Sequence, residues 1–159
     1  MSFPGEGISF SLRGGERRSA QIASDRAFFA NVLQDSDVGV MALPDGAELF
    51  VLVRSPQAPE RFVLDVQLPE GARLRQAIAR DPIPGDPPKS LEIGRGEQSL
   101  GYIHPPIAVD ADGQAVPATI ALDAQSIVLD ARAREFFAGR VHHEALRSSA
   151  THRSPPPRC

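Results

Sequence analysis

Apolar residues along the chain fall into short runs, each closed within a few positions by Gly, Pro, Asp or Ser. Eleven such runs follow one another: ISFSL, AFFANVL, VGVMAL, ELFVLV, RFVLDVQL, ARLRQAI, SLEIG, LGYIHP, IAVDA, ATIALD and SIVLD. β-rich runs at this spacing predict an all-β fold, an antiparallel sandwich-like domain built from hairpins. In RFVLDVQL, Phe62, Leu64, Val66 and Leu68 recur at every second position while Val63, Asp65 and Gln67 take the opposite face. That is the period of a strand packed on one side. ELFVLVRS is apolar at nearly every position, as expected of a strand covered on both faces.

The breaks between runs carry their own chemistry. LPDGAEL sets Pro44, Asp45 and Gly46 between two apolar runs, where Gly46 is expected to supply the positive φ of a tight hairpin. LPEGARL repeats the device with Pro69, Glu70 and Gly71, and DADGQAV repeats it with Asp112 and Gly113. The stretch from 80 to 90, RDPIPGDPPKS, holds four prolines. Proline cannot donate to a sheet ladder, so this stretch reads as a long exposed loop within one domain.

After Asp130 the pattern changes. Phe136, Phe137, Val141, Ala145 and Leu146 are spaced roughly as on one helix face, with Gly139 as a weak point. A short amphipathic helix is predicted over 131–147. From 148 to 159 the composition is that of a disordered tail. The predicted organisation is thus an N-terminal strand region over 1–27, a β-rich core over 28–130, the helix, and the tail.

Composition narrows the reading. At 159 residues and 42% hydrophobic content the chain is long enough for one well-buried core. The net charge of −3 gives nucleic-acid binding no support. The charge is unevenly spread: residues 1–130 carry 11 basic and 18 acidic side chains, residues 131–159 carry 6 and 2. Cys159, the single cysteine, cannot form an internal disulfide. The start, MSFPGEGISFSLRGGERRS, lacks the apolar run of an export signal, and no stretch is long and apolar enough to span a membrane as a helix.

Candidate chemistry is sparse. Asp110, Asp112 and Gly113 imitate part of a calcium loop, but the glycine comes fourth and the twelfth position is Ala121 instead of a bidentate Glu. The DADG stretch is read as a turn, with a weak metal site at Asp110 and Asp112 as the lesser alternative. Asp35 and Asp37 are likewise expected to be solvated turn acids. His142 and His143 are neighbours, so on a helix their side chains diverge by about 100° and cannot share a metal. His104 stands before two prolines without ligand spacing. Neither GxSxG nor SxxK is present, and the glycines of GEGISFSLRGG and IGRGEQSLG lack Walker spacing. No catalytic, cofactor-binding or metal residue is assigned, and no cofactor is expected. A sugar-binding role is weakened by the absence of Trp and the single Tyr102.

Several phrases in order nonetheless carry a family likeness. FFANVLQDSDVGVMALPDGAELFVLVRSPQAPERFVLDVQLPEGARLRQ, followed by SLGYIHPPIAVDADGQAVPATIALDAQSIVLD, resembles the β-rich segment near the N-terminus of large secreted bacterial proteins with YD (Rhs-type) repeats. The likeness covers residues 28–130. It rests on Asn-Val-x-x-Asp-x-Asp, x-Leu-x-Arg-Ser-Pro, Leu-Pro-Glu-Gly-Ala-x-Leu and Pro-Pro-x-Ala-Val-Asp-Ala-Asp-Gly. The resemblance implies an extracellular or cell-surface, non-catalytic structural or interaction module, with other segments of a parent repeat protein, an extracellular protein or a glycan as partner. It carries over no catalytic residue. Family chains have an export signal upstream and a further strand after IVLDA, so the tail here is expected to be truncated or frame-slipped. A missing last strand would leave sheet edges open to self-association. The reading from another class is a small hydrolase or glycan-active enzyme with a site assembled from scattered Asp, Glu and His.

Overall fold

The computed structural model describes residues 2–3, 7–77, 90–131 and 136–142, with the backbone path alone for 2–3 and 136–142. The described residues form fifteen strands: β1 (Ser2–Phe3), β2 (Ile8–Leu12), β3 (Gln21–Ala23), β4 (Arg26–Leu33), β5 (Ser36–Leu43), β6 (Gly46–Val53), β7 (Arg61–Gln67), β8 (Ala72–Gln76), β9 (Leu91–Arg95), β10 (Gln98–Ile103), β11 (Ile107–Val109), β12 (Ala115–Val116), β13 (Ala118–Asp123), β14 (Ser126–Ala131) and β15 (Phe136–His142). Each of the eleven apolar runs is a strand. The fold is all-β and antiparallel, in two sheets: β1-β2-β7-β14-β13, and a ten-stranded sheet whose main path runs β3-β4-β5-β6-β15-β10-β9-β8.

Alternation in each strand decides which residues reach the shared core. In β7, Phe62, Leu64 and Val66 are buried, while Arg61 and Gln67 are exposed. β6 alternates as well, with Ala47, Leu49, Val51 and Val53 buried and the residues between them half-buried. Its continuous apolar run therefore reflects one core face and one partly covered face. Val51 and Ile127 retain no exposed surface, and the inner residues of both sheets belong to one hydrophobic cluster. At about 25 cal/mol per Å² of buried apolar area, this cluster is the main source of stability.

The C-terminal region departs from expectation. Instead of lying in a helix over 131–147, Ala131 ends β14 and Phe136–His142 form β15. β15 pairs along β6 from Phe136↔Leu52 to His142↔Gly46. On its other side it pairs with β10 at Tyr102↔His142 and with β11 at Ile107↔Ala138. The helical spacing is overridden because this segment satisfies the backbone donors and acceptors of β6 and β10, which a helix here would leave unpaired. The open edges expected from a missing last strand are therefore filled at this position. Residues 80–89, His143, the tail over 148–159 and Cys159 lie outside the described residues.

The three Gly-bearing breaks also differ from one another. The β5–β6 hairpin turns on Pro44 and Asp45, with Leu43 opposite Gly46. Gly46 is the first residue of the strand and is not among the described positive-φ residues, which corrects its assignment. Gly71 does hold φ 75°, and the Ala72 N–H donates to the Pro69 carbonyl at 3.0 Å. This turn is a corner and not a hairpin, because β7 and β8 belong to different sheets. Gly113 holds φ 76° in the β11–β12 hairpin.

Candidate ligand cavity and the polar cluster beside it

A cavity of about 530 Å³ lies between the two sheets. From the smaller sheet Phe10, Leu12, Leu64 and Leu129 line it; from the larger sheet come Phe29, Val40, Leu49 and Val51. These are core-facing positions, so the cavity is a parting of the two inner faces. The strap that follows β2 adds Glu16, Arg17 and Arg18 to the lining.

The strap is held by backbone chemistry. Gly14 takes φ 73°, and the Gly15 N–H donates to the Leu12 carbonyl at 3.2 Å. A Cβ on Gly15 would sit 3.0 Å from Val32 Cγ1 and 3.1 Å from the Leu12 oxygen, so this crossing accommodates little beyond hydrogen. The Glu16 N–H then donates to the Val32 carbonyl at 2.8 Å, and Arg18 Nε donates to the Asn31 carbonyl at 3.0 Å. Arg18 also pairs with Glu16. Arg17 has no carboxylate partner among the described residues.

The strap's anchor is a bulge in β4. Between Phe29↔Val38 and Leu33↔Ser36, β4 carries two residues more than β5, and Asn31 takes φ 53°. The Asn31 N–H donates to Asp37 Oδ1 at 2.7 Å, and Arg54 Nε lies 3.3 Å from Asp37 Oδ2. Arg54 also donates to the Asn31 side-chain oxygen. The hydroxyl of Ser55 donates to Asp35 Oδ2 at 2.5 Å, while the Arg54 N–H donates to the Asp35 carbonyl at 2.9 Å. Asp37 is only 6% exposed. It is a buried, paired carboxylate and not the solvated turn acid expected; Asp35 is a turn residue with φ 46° and a committed carboxylate.

The DADG stretch is a turn. Asp110 Oδ1 accepts the N–H groups of Asp112 at 3.0 Å and Gln114 at 2.8 Å, while the Gly113 N–H donates to the Asp110 carbonyl at 2.9 Å. The carboxylate thus caps its own loop, an arrangement that sets loop shape without any ion. This hairpin joins β11 to β12; after Pro117 the chain enters β13, which pairs with β14 in the other sheet. Among the described residues, no group of three or more His, Cys, Asp or Glu is placed to hold a metal ion. His104 and the two prolines after it fill the break between β10 and β11, and His142 is in β15.

A second polar cluster occupies the outer face of the smaller sheet. Asp65 sits opposite both Ser11 and Ser126 on its neighbouring strands. Arg13 pairs with Asp65 and donates to Ser126 Oγ at 2.8 Å, and Ser126 Oγ donates to Asp65 Oδ1 at 2.9 Å. Hydrogen bonds from Arg13 and then Ser126 hold the Asp65 carboxyl below the usual carboxylate range. Asp65 is committed to both Arg13 and Ser126, and these contacts tie the end of β2 and β14 to β7.

The fold and cavity define an antiparallel β-sandwich with an apolar cleft closed on one side by a charged strap. No protein-family model, curated protein or solved structure matches the chain. Among the described residues no helix is long and apolar enough to cross a membrane. Sequence reasoning missed the strap and the Arg54–Asp37–Asn31 cluster, although Asn-Val-x-x-Asp-x-Asp and x-Leu-x-Arg-Ser-Pro contain five of its residues between them.

Proposed function

We propose that the domain is a non-catalytic structural and interaction module of a secreted or cell-surface protein of the YD (Rhs) repeat type. The observation that carries this reading is where the four shared phrases fall. Asn31, Asp35 and Asp37 from the first meet Arg54 and Ser55 from the second in one cluster. The third phrase makes the Gly71 corner between sheets, and the fourth makes the capped hairpin after Val109. The side chains behind the resemblance are spent on bulges, corners and loop caps, the devices that preserve a scaffold.

The outer face of the larger sheet supports an interaction role. Ile107, Phe50 and Phe28 occupy one row of the register, with Ala138 and Gly39 between them. Ile107 is 70% exposed. An apolar row crossing several strands suits a shell segment of a parent chain better than a hydrated small ligand. The test is co-expression with a YD-repeat polypeptide encoded beside it. Co-purification, and loss of it in Ile107→Asp, is the expected result. Separate elution of two folded products would overturn the proposal, as would turnover of ester or glycoside substrates by the purified domain.

A further inference from the structure

We infer that the cleft between the sheets is a binding site for a single-chain amphiphile with an anionic head group, independently of the module's place in a larger chain. Its volume of about 530 Å³ falls in the range of small-ligand sites. Its walls are hydrocarbon: Phe10 and Leu12 on one side, and Phe29, Val40, Leu49 and Val51 on the other. Water within such walls finds few hydrogen-bonding partners, whereas an alkyl chain gains from every methylene it buries.

The strap decides the head group. The Gly15 N–H is held by the Leu12 carbonyl and the Glu16 N–H by the Val32 carbonyl, while the Asn31 carbonyl accepts from the Arg18 side chain. Side-chain charge at the mouth narrows the choice. Glu16 is neutralised by Arg18, and Arg18 is further tied to Asn31. Arg17 remains as uncompensated positive charge beside an apolar cavity among the described residues. A carboxylate or comparable anion at the end of an acyl chain matches both features.

Titration of the full chain with decanoate and decanol, followed by calorimetry and by thermal shift, tests the inference. Decanoate should bind saturably and raise the melting temperature. Val40→Trp, which fills the cleft from β5, should weaken both ligands by about tenfold or more. Arg17→Glu, a change at an exposed strap residue, should weaken decanoate by about three- to tenfold and leave decanol within about twofold. Three outcomes overturn the inference: a folded wild type that binds neither ligand, undiminished binding in a folded Val40→Trp, or an Arg17→Glu effect equal for acid and alcohol. The first would mean that the cleft is covered by another part of the chain or by a protein partner.

Discussion

Asp37 illustrates how much one side chain can carry. Its two oxygens serve the N–H of a left-handed Asn31 and the guanidinium of Arg54, and it is almost fully buried. Asp37→Ala leaves both donors without their acceptor and should destabilise the domain by about 2–4 kcal/mol, measured by urea denaturation. Asp37→Asn, which keeps one oxygen in place, should cost less. A loss below about 0.5 kcal/mol for Asp37→Ala would show the cluster to be ornamental. Asp65 gives a prediction in pH. Its carboxyl is held below the ordinary value in the folded protein, so the unfolded chain takes up the proton first as pH falls. Stability from the Arg13–Asp65–Ser126 cluster is therefore full above about pH 4, the unfolded Asp value, and is lost as pH drops through the lower folded value. Asp65→Asn should flatten this acid limb of the stability curve and leave its alkaline side unchanged in shape.

Among elements, glycine separates turns that look alike in sequence. Gly71→Val forces a β-branched residue into φ 75° and should cost on the order of 1–2 kcal/mol. Gly46→Val carries no such left-handed penalty, because the reversal there is made by Pro44 and Asp45. A larger loss in melting temperature for Gly46→Val than for Gly71→Val would contradict the backbone described. The two devices read identically because a Gly after an acid can enter a strand or make a corner, and only the partner of the next strand distinguishes them. Alternation made the long strands legible: RFVLDVQL has one buried face in the sequence and in the fold. β3 was not legible since its three residues are all exposed, and β12 has only two residues. β15 was concealed by Phe and Val positions that also satisfy a helical period, and by arginine and glycine within the run. The cleft left no trace, because alternation tells which side chains face inward but not how far apart the two inner faces stand.

For the whole molecule, β15 is the strand on which the larger sheet depends, lying between β6 and the β10–β11 pair. Removing residues 132–159 should abolish cooperative thermal unfolding, because β6 and β10 would each present a bare ladder. A truncated chain that melts sharply at the wild-type temperature would mean that the sheet closes without β15. Size-exclusion chromatography of the full chain across a concentration series is expected to show no self-association through β6, which β15 covers from Gly46 to Leu52; β3, β8 and β12 remain as edges of this sheet.

The position of β15 also constrains how the protein is made. β6 leaves the ribosome early, yet eight further strands are synthesised before its neighbour appears. Throughout that interval a nascent chain carries a sticky border along β6 that is matched only once β15 has been made. Slowing translation between β6 and β15, or crowding several nascent chains on one transcript, should therefore favour tangling between neighbours over productive closure.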